Sequence, residues 1–247
     1  MENIQSLQNP EIQTFIKKFS HLFVEVKKRL LFILTAFLAS TTIGFIFYEK
    51  IIKILVNSLG LKDINIVFTS PFQFINLAIS CGLTTGLIIS LPILIYQILS
   101  FLKPALKVKE FKMITRFLPI STILFIFGFI FGAFMMKWQI EISLTHSISI
   151  GIGNVLDISK LLTTILMTSI LMGIGFQFPI ILTILLRLQI IKPKQLSDKR
   201  MVVYLCSFIF AIMLPPDSIL ADVLLSLPLI FMFELTLILH RVFKKSH

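Results

Sequence analysis

Long runs of apolar residues constrain this 247-residue chain more than any other feature. A helix needs about 20 such residues to cross the roughly 30 Å hydrocarbon core of a bilayer. Six runs approach or exceed that length, and they lie at Leu30 to Tyr48, Phe74 to Leu102, Phe117 to Met136, Leu161 to Leu188, Met201 to Leu214 and Ile219 to Leu239. The sequence therefore predicts an all-α polytopic membrane protein, with six transmembrane helices in a single membrane domain that covers 1–247.

The composition excludes an ordinary soluble domain. Only 14% of the residues are charged and the mean hydropathy is +0.96, whereas soluble domains carry about 25% charged residues. The net charge of +11 comes from clusters of cations between the apolar runs rather than from one basic face. We therefore expect the lipid bilayer, and no nucleic acid, as the partner of this surface.

The clusters of Lys and Arg also predict the orientation. Cytoplasmic loops of membrane proteins are enriched in these residues. If the six runs cross in alternation, 18 of the 23 cations share one side, namely Lys17, Lys18, Lys27, Lys28, Arg29, Lys103, Lys107, Lys109, Lys112, Arg116, Arg187, Lys192, Lys194, Lys199, Arg200, Arg241, Lys244 and Lys245. Both termini are therefore predicted to be cytoplasmic.

Prolines mark breaks within this pattern. The fifth run, Met201 to Leu214, would be only about 21 Å long as a helix, and Pro215 and Pro216 end it. We expect that helix to lie in locally thinned lipid and to form a tight hairpin with the sixth. Pro92 and Pro179 fall within the second and fourth runs, where they predict kinks.

The segment Gln139 to Ile158 differs from the apolar runs. Apolar and polar residues alternate there, for example at Ile140, Ile142 and Leu144. Alternation of period two is typical of a β-strand. Periodicity thus predicts a strand, while helix caps or a loop on the membrane surface remain alternatives.

Patterns that would indicate catalysis are absent from the sequence. The histidines are scattered, Cys81 and Cys206 lie inside apolar runs as expected of packing residues, and there is no GxxxxGK[ST] loop or GxS-type nucleophile. We expect no metal, no cofactor and no enzymatic activity, which argues against an intramembrane enzyme. A small-solute secondary transporter is the main alternative function, although such a protein predicts inverted repeats that this chain does not display.

Four acidic residues stand out among the 12 of the chain. Glu25 and Glu110 each lie within a cluster of cations, where they either neutralise local charge or bind guanidinium groups of a ligand, which pair with carboxylates bidentately. Glu234 lies inside the sixth run, so it needs a polar neighbour or an aqueous cavity. Asp217 follows two prolines and is placed to cap the sixth helix.

Glycines at a spacing of four occur twice. Gly82 with Gly86, and Gly128 with Gly132, allow two helices to approach closely. Packing within the chain is the simpler interpretation of this spacing, and an interface between copies is the alternative.

Five motifs follow one another along nearly the whole chain. They stand at Val24 to Leu31, Thr69 to Phe72, Pro92 to Leu106, Phe176 to Pro179 and Leu214 to Asp217, the last followed by Pro228, Phe233 and Glu234. In this order they resemble an N-terminal "HLxELRxRLL" element, an "SPF" element, a "P-x-x-x-Y-Q-x-x-x-F-x-x-P-x-L" pattern, an "F-E/Q-x-P" element and the ending of one family. That family is TatC, the core subunit of the twin-arginine protein translocase.

The resemblance implies a glove-shaped bundle of six helices with short fifth and sixth helices and both termini cytoplasmic. It implies a receptor for the paired arginines of signal peptides on folded cargo, driven by the proton gradient. The cell (inner) membrane is the expected location, or a thylakoid or other organelle membrane. Expected partners are single-span TatA- and TatB-type subunits and further copies of the chain.

The resemblance also assigns residues to roles. Signal-peptide binding falls to Glu25, Glu110, Arg29, Phe101 and Pro104. Contact with partner subunits within the membrane falls to Gln177 and Glu234. Structural and outer-loop roles fall to Pro71, Pro92, Asp157, Pro216 and Asp217.

Overall fold

The computed structural model describes residues 10–60, 66–67, 70, 72–103, 107–149, 156–215 and 218–245; within the helices, the side chains of 10–22, 102, 109, 110, 113, 148 and 239–245 are not described. In chain order the elements are α1 (Pro10–Ile46), α2 (Tyr48–Leu59), β1 (Ile66–Val67), α3 (Gln73–Leu102), α4 (Val108–Thr115), α5 (Phe117–Ser149), β2 (Leu156–Asp157), α6 (Ile158–Gly175), α7 (Phe178–Arg187), α8 (Pro193–Asp198), α9 (Arg200–Ile212) and α10 (Ile219–Lys245).

Long apolar helices dominate the described part of the chain, as predicted. Five segments are long and apolar enough to cross a bilayer: Phe23–Ile46, Gln73–Phe101, Phe117–Ser147, Ile158–Arg187 and Ile219–Ile238. Helix α9 is apolar but has only 13 residues, about 20 Å at 1.5 Å per residue. The chain is thus an all-α, multi-pass membrane protein, with a short apolar helix at the fifth run, where the sequence places it.

The last two helices pack against each other, but only α9 is short. Helix α10 has 27 residues, of which Ile219–Ile238 form the apolar stretch. The side chains of Arg200 and Tyr204, at the start of α9, contact Glu234 in the second half of α10. The two helices therefore run antiparallel as a hairpin.

The predicted strand between the third and fourth spans is wrong for most of its length. Helix α5 continues to Ser149, and the extended backbone is confined to Leu156–Asp157. Ile140, Leu144 and Ser147 line one groove beside α6, because positions separated by four and three residues share a helix face. A short stretch in which apolar and polar residues alternate is therefore compatible with one face of a helix as well as with a strand.

The fourth apolar run forms two helices with a break between them, as its proline predicts. Helix α6 ends at Gly175 and α7 begins at Phe178, with Pro179 in its first turn, where a missing N–H costs no helical hydrogen bond. Pro92, by contrast, lies inside α3, which stays helical from Gln73 to Leu102.

Both glycine pairs pack helices against each other within the chain. A Cβ atom at Gly82 would lie 2.9 Å from the main-chain oxygen of Thr41 in α1, and one at Gly132 would lie 2.9 Å from the Cα of Ser169 in α6. Contacts this close require glycine. The spacing therefore serves α1–α3 and α5–α6 packing.

The opposite end of the bundle from Arg29 is closed by short elements. Helix α2 packs Ile51, Ile52 and Leu55 against a core that includes Leu77 and Leu162. Strands β1 and β2 pair in parallel, with Ile66 beside Leu156. These contacts join two connecting segments that are distant in sequence.

Candidate functional site

Glu25 and Arg29 form the centre of a polar groove between α1 and α3. They are four residues apart on α1, so they share one face, and Nη2 and Nε of Arg29 lie 2.7 and 3.2 Å from Oε1 of Glu25. Nη1 of Arg29 donates to Oε1 of Gln97 on α3 at 2.9 Å. A groove of about 370 Å³ is lined by Glu25, Lys28, Arg29, Phe32 and Gln97.

The carboxylate in this groove is partly open to solvent. The side chain of Glu25 is 30% exposed and that of Arg29 is 23% exposed. Both contacts from Arg29 fall on Oε1, and Oε2 accepts no hydrogen bond from the described residues. With Lys28 and Arg29 beside one carboxylate, the groove is positive overall, yet it offers an oxygen that can accept from an incoming donor.

The other residues assigned to signal-peptide binding stand, in the sequence, in the last turn of α3 or after it. Phe101 is in the last turn of α3 and is half-buried. The backbone of Glu110 belongs to α4, but its side chain lies outside the described residues, as does Pro104. The structure therefore brings together Glu25, Arg29 and the end of α3.

The side chain of Gln177 replaces a main-chain hydrogen-bond donor that is lost at the break between α6 and α7. Its main-chain N–H donates to Ile174, three residues back, instead of to Gly173, four residues back. The side-chain Nε2 donates to that carbonyl of Gly173 at 3.3 Å and to the carbonyl of Ser121 at 3.2 Å. The Ser121 hydroxyl donates to Oε1 of Gln177, so the carboxamide, only 8% exposed, is bonded within the chain.

Glu234 has partners on the neighbouring helix. The hydroxyl of Tyr204 donates to its Oε1 at 2.5 Å, and Nε of Arg200 lies 3.5 Å from the same oxygen. The ring of Tyr204 also packs edge-on against Phe233. The polar neighbour that the sequence requires for this carboxylate is thus supplied by α9.

Asp157 caps α6 and links its start to the start of α3. Its Oδ1 accepts from the main-chain N–H of Lys160 at 3.0 Å, and its Oδ2 accepts from Nε2 of Gln73 at 2.5 Å. The hydroxyl of Ser159 donates to the main-chain oxygen of Gln73. Among the other residues with expected structural roles, Pro71, Pro216 and the predicted cap Asp217 lie outside the described residues.

Sequence reasoning missed the partners of several polar residues. The sequence shows Gln97 only as part of a motif and Arg200 only as one cation of a cluster, and it does not distinguish Gln73, Ser121 or Tyr204. Arg200 and Tyr204 are four residues apart, which was the available signal that both face one neighbour. The other contacts join residues more than 50 positions apart, and no local pattern specifies them.

Known proteins match this chain over most of its length. The family model described as Sec-independent protein translocase protein (TatC) matches residues 20–228. The chain is 25% identical to TatC of Listeria innocua over 219 residues, or 87% of each protein. It is 32% identical to TatC of Rickettsia prowazekii over 229 residues, or 90% of this chain and 91% of the relative.

Two crystal structures share this fold. Each is described as that of the twin-arginine translocase receptor TatC, in one case in the detergent DDM. The detergent structure superposes with a TM-score of 0.79 at 26% identity, over 88% of this chain and 98% of the other. The second gives 0.69 at 25% identity, over 90% and 98%. Because the family match runs through all but the ends of this multi-pass protein, the chain belongs to the TatC family of Sec-independent protein translocase proteins.

Proposed function

We propose that this protein is the signal-peptide receptor and scaffold of a twin-arginine translocase, which exports folded proteins across the cell (inner) membrane with the proton gradient as its energy source. The observation that carries the proposal is the partly exposed carboxylate of Glu25 in the groove between α1 and α3. Family membership and the description of the two related crystal structures as receptors support it.

The chemistry of the groove suits arginine better than lysine. A guanidinium presents several N–H donors in a plane that matches a carboxylate, whereas an ammonium is a compact point charge. Glu25 supplies one carboxylate, and Glu110, on the helix that follows α3, is proposed to supply the second. Phe101 and Pro104 are proposed to contact the residues that flank the arginine pair.

Assembly with other subunits belongs to the same proposal. Single-span TatA- and TatB-type subunits and further copies of this chain would gather around the bundle to pass the cargo. Gln177 and Glu234, assigned to partner contact by resemblance, both bond within the chain. Recruitment through the buried Gln177 therefore requires an exchange of its bonds for bonds to a partner.

The test is photo-crosslinking of a twin-arginine signal peptide to the membrane-embedded protein. Glu25→Gln and Glu110→Gln keep the side-chain shape and remove the negative charge, so each should reduce the crosslinked fraction about tenfold or more, the scale of one charge-assisted hydrogen bond. A twin-lysine peptide should crosslink to wild type as weakly as the twin-arginine peptide does to these variants.

Glu141→Gln is the matched control. Glu141 is also a glutamate paired with a cation four residues away, Lys137, at the far end of α5. Its substitution should leave crosslinking unchanged. Equal crosslinking by both peptides in every variant would contradict the receptor function, and a small-solute transporter would then become the better interpretation.

A further inference from the structure

Arg29 already holds the carboxylate that the proposed function offers to cargo. Two of its nitrogens contact Oε1 of Glu25, at 2.7 and 3.2 Å. A cargo guanidinium that binds as a planar fork uses both oxygens of a carboxylate. Arg29 and a cargo arginine therefore compete for Glu25.

Gln97 gives Arg29 a second acceptor that does not depend on Glu25. Nη1 of Arg29 lies 2.9 Å from the side-chain oxygen of Gln97 and 3.5 Å from its main-chain oxygen. Both acceptors belong to α3, across the groove from Glu25. If Arg29 leaves Glu25, its guanidinium keeps this neutral partner and stays at the wall of the groove.

The pair between Glu25 and Arg29 is weak enough to exchange. It is an i,i+4 pair on one helix, and both side chains are partly exposed. Pairs of this kind shift an equilibrium only about twofold to threefold. The groove, at about 370 Å³ and partly open to solvent, has room for a second guanidinium to enter.

We propose that Arg29 is a resident guanidinium, which occupies Glu25 between cargo molecules and shifts fully onto Gln97 when a cargo arginine binds. The inference rests on the proposed receptor function and adds a selection step to the same groove. Lys28 and Arg29 repel cations in general, and displacement of Arg29 requires a ligand that replaces its two contacts to Glu25. Arginine can do so and lysine cannot. The cations beside Glu25 would therefore select arginine over other positively charged groups.

The first part of the test compares Arg29→Gln with Lys28→Gln. Both residues line the groove and each variant removes one positive charge, so nonspecific repulsion changes equally. The purified full chain in lipid nanodiscs is titrated with twin-arginine and twin-lysine signal peptides. Arg29→Gln should bind the twin-arginine peptide about threefold more tightly than Lys28→Gln does, because one i,i+4 pair no longer competes. Equal affinities of the two variants, or weaker binding by Arg29→Gln, would overturn the exchange.

The second part is a double-mutant cycle with Gln97→Ala. In the wild-type background the loss of the second acceptor should weaken twin-arginine binding about threefold, the scale of one modest hydrogen bond. In the Arg29→Gln background Gln97→Ala should have no effect, because there is no guanidinium to receive. The same loss in both backgrounds would show that Gln97 acts on the fold or on cargo directly, and would overturn the proposal.

Two further variants keep the outcomes distinct. Arg29→Lys retains the charge and loses the fork, so its affinity should lie between those of wild type and Arg29→Gln; wild-type affinity would contradict the exchange. Glu25→Gln should prefer arginine over lysine less strongly than wild type does, because one of the two proposed carboxylates is lost. If wild type itself shows no such preference, the receptor function fails; if wild type and Glu25→Gln behave as expected but Arg29→Gln and Lys28→Gln are equal, only the exchange fails.

Discussion

Gln177 illustrates how one side chain can make a helix break tolerable within the membrane. Where α6 ends, the carbonyl of Gly173 loses its usual main-chain donor, and the carboxamide of Gln177 replaces that donor. A bare carbonyl is costly where water is absent. The same carboxamide ties the break to Ser121 on α5, so the position of α7 depends on this residue.

Gln177→Leu is expected to lower the free energy of unfolding by about 1–3 kcal/mol, because the carbonyl of Gly173 then lacks a donor and the hydroxyl of Ser121 loses its acceptor on Gln177. Ser121→Ala removes only the hydroxyl and should cost less than half as much. Denaturant unfolding in mixed micelles, followed by circular dichroism, measures both. A Gln177→Leu protein of wild-type stability that fails to export cargo would instead indicate direct contact of Gln177 with a partner subunit.

At this scale the sequence is informative about residue type and silent about distant partners. An isolated carboxylate among cations, or an acid inside an apolar run, is conspicuous because burial and charge repulsion make it costly. The contact between Glu25 and Arg29 joins residues four apart on one helix, so it depends only on local spacing. Gln97 and Tyr204 acquire their importance only through tertiary contact, which no short window contains.

The helices themselves were largely predictable, and their ends were not. Apolar length marks the membrane-crossing parts, but α1 begins at Pro10 and α5 ends at Ser149, well beyond the apolar runs. Outside the hydrocarbon core a helix can continue with polar residues, so hydropathy no longer marks where it stops. Caps mark such ends better, as at Asp157, which precedes α6 and accepts from the main chain of Lys160.

Asp157→Ala should destabilise the protein by about 1–2 kcal/mol, because it removes a helix cap together with the bond to Gln73. Asp157→Asn keeps an oxygen for the cap and should cost less. Gln73→Ala retains the cap and removes the other bond, so it separates the two contributions. Thermal unfolding followed by tryptophan fluorescence is the measurement, and equal stability of Asp157→Ala and wild type would show that the cap contributes nothing.

At the scale of the whole molecule, the contact between α1 and α3 sets the distance between the two walls of the groove. The helices meet at Gly82, where the main chain of Thr41 lies close enough to exclude a side chain, and again where Arg29 reaches Gln97. Positions 29 and 41 are separated by about 18 Å of helix. One pair of stiff elements thus carries both a packed contact and the polar groove.

Gly82→Val should push α1 away from α3 and weaken twin-arginine peptide binding severalfold, besides costing about 1–3 kcal/mol of stability through overpacking. Ile79→Val, on an exposed part of α3, is the control and should change neither quantity. Peptide titration and unfolding are measured on the same preparations. A less stable Gly82→Val protein with unchanged affinity would show that the groove keeps its shape independently of this contact.

For the receptor function proposed above, the glycine contact between α1 and α3 also bears on how specificity can change over generations. A substitution at a position that cargo never touches can widen or narrow the groove through the tilt of one helix. Selection on the signals that are accepted can therefore act at Gly82 or Thr41 while Glu25 stays fixed. Variation in cargo preference among related receptors need not map to the residues that bind cargo.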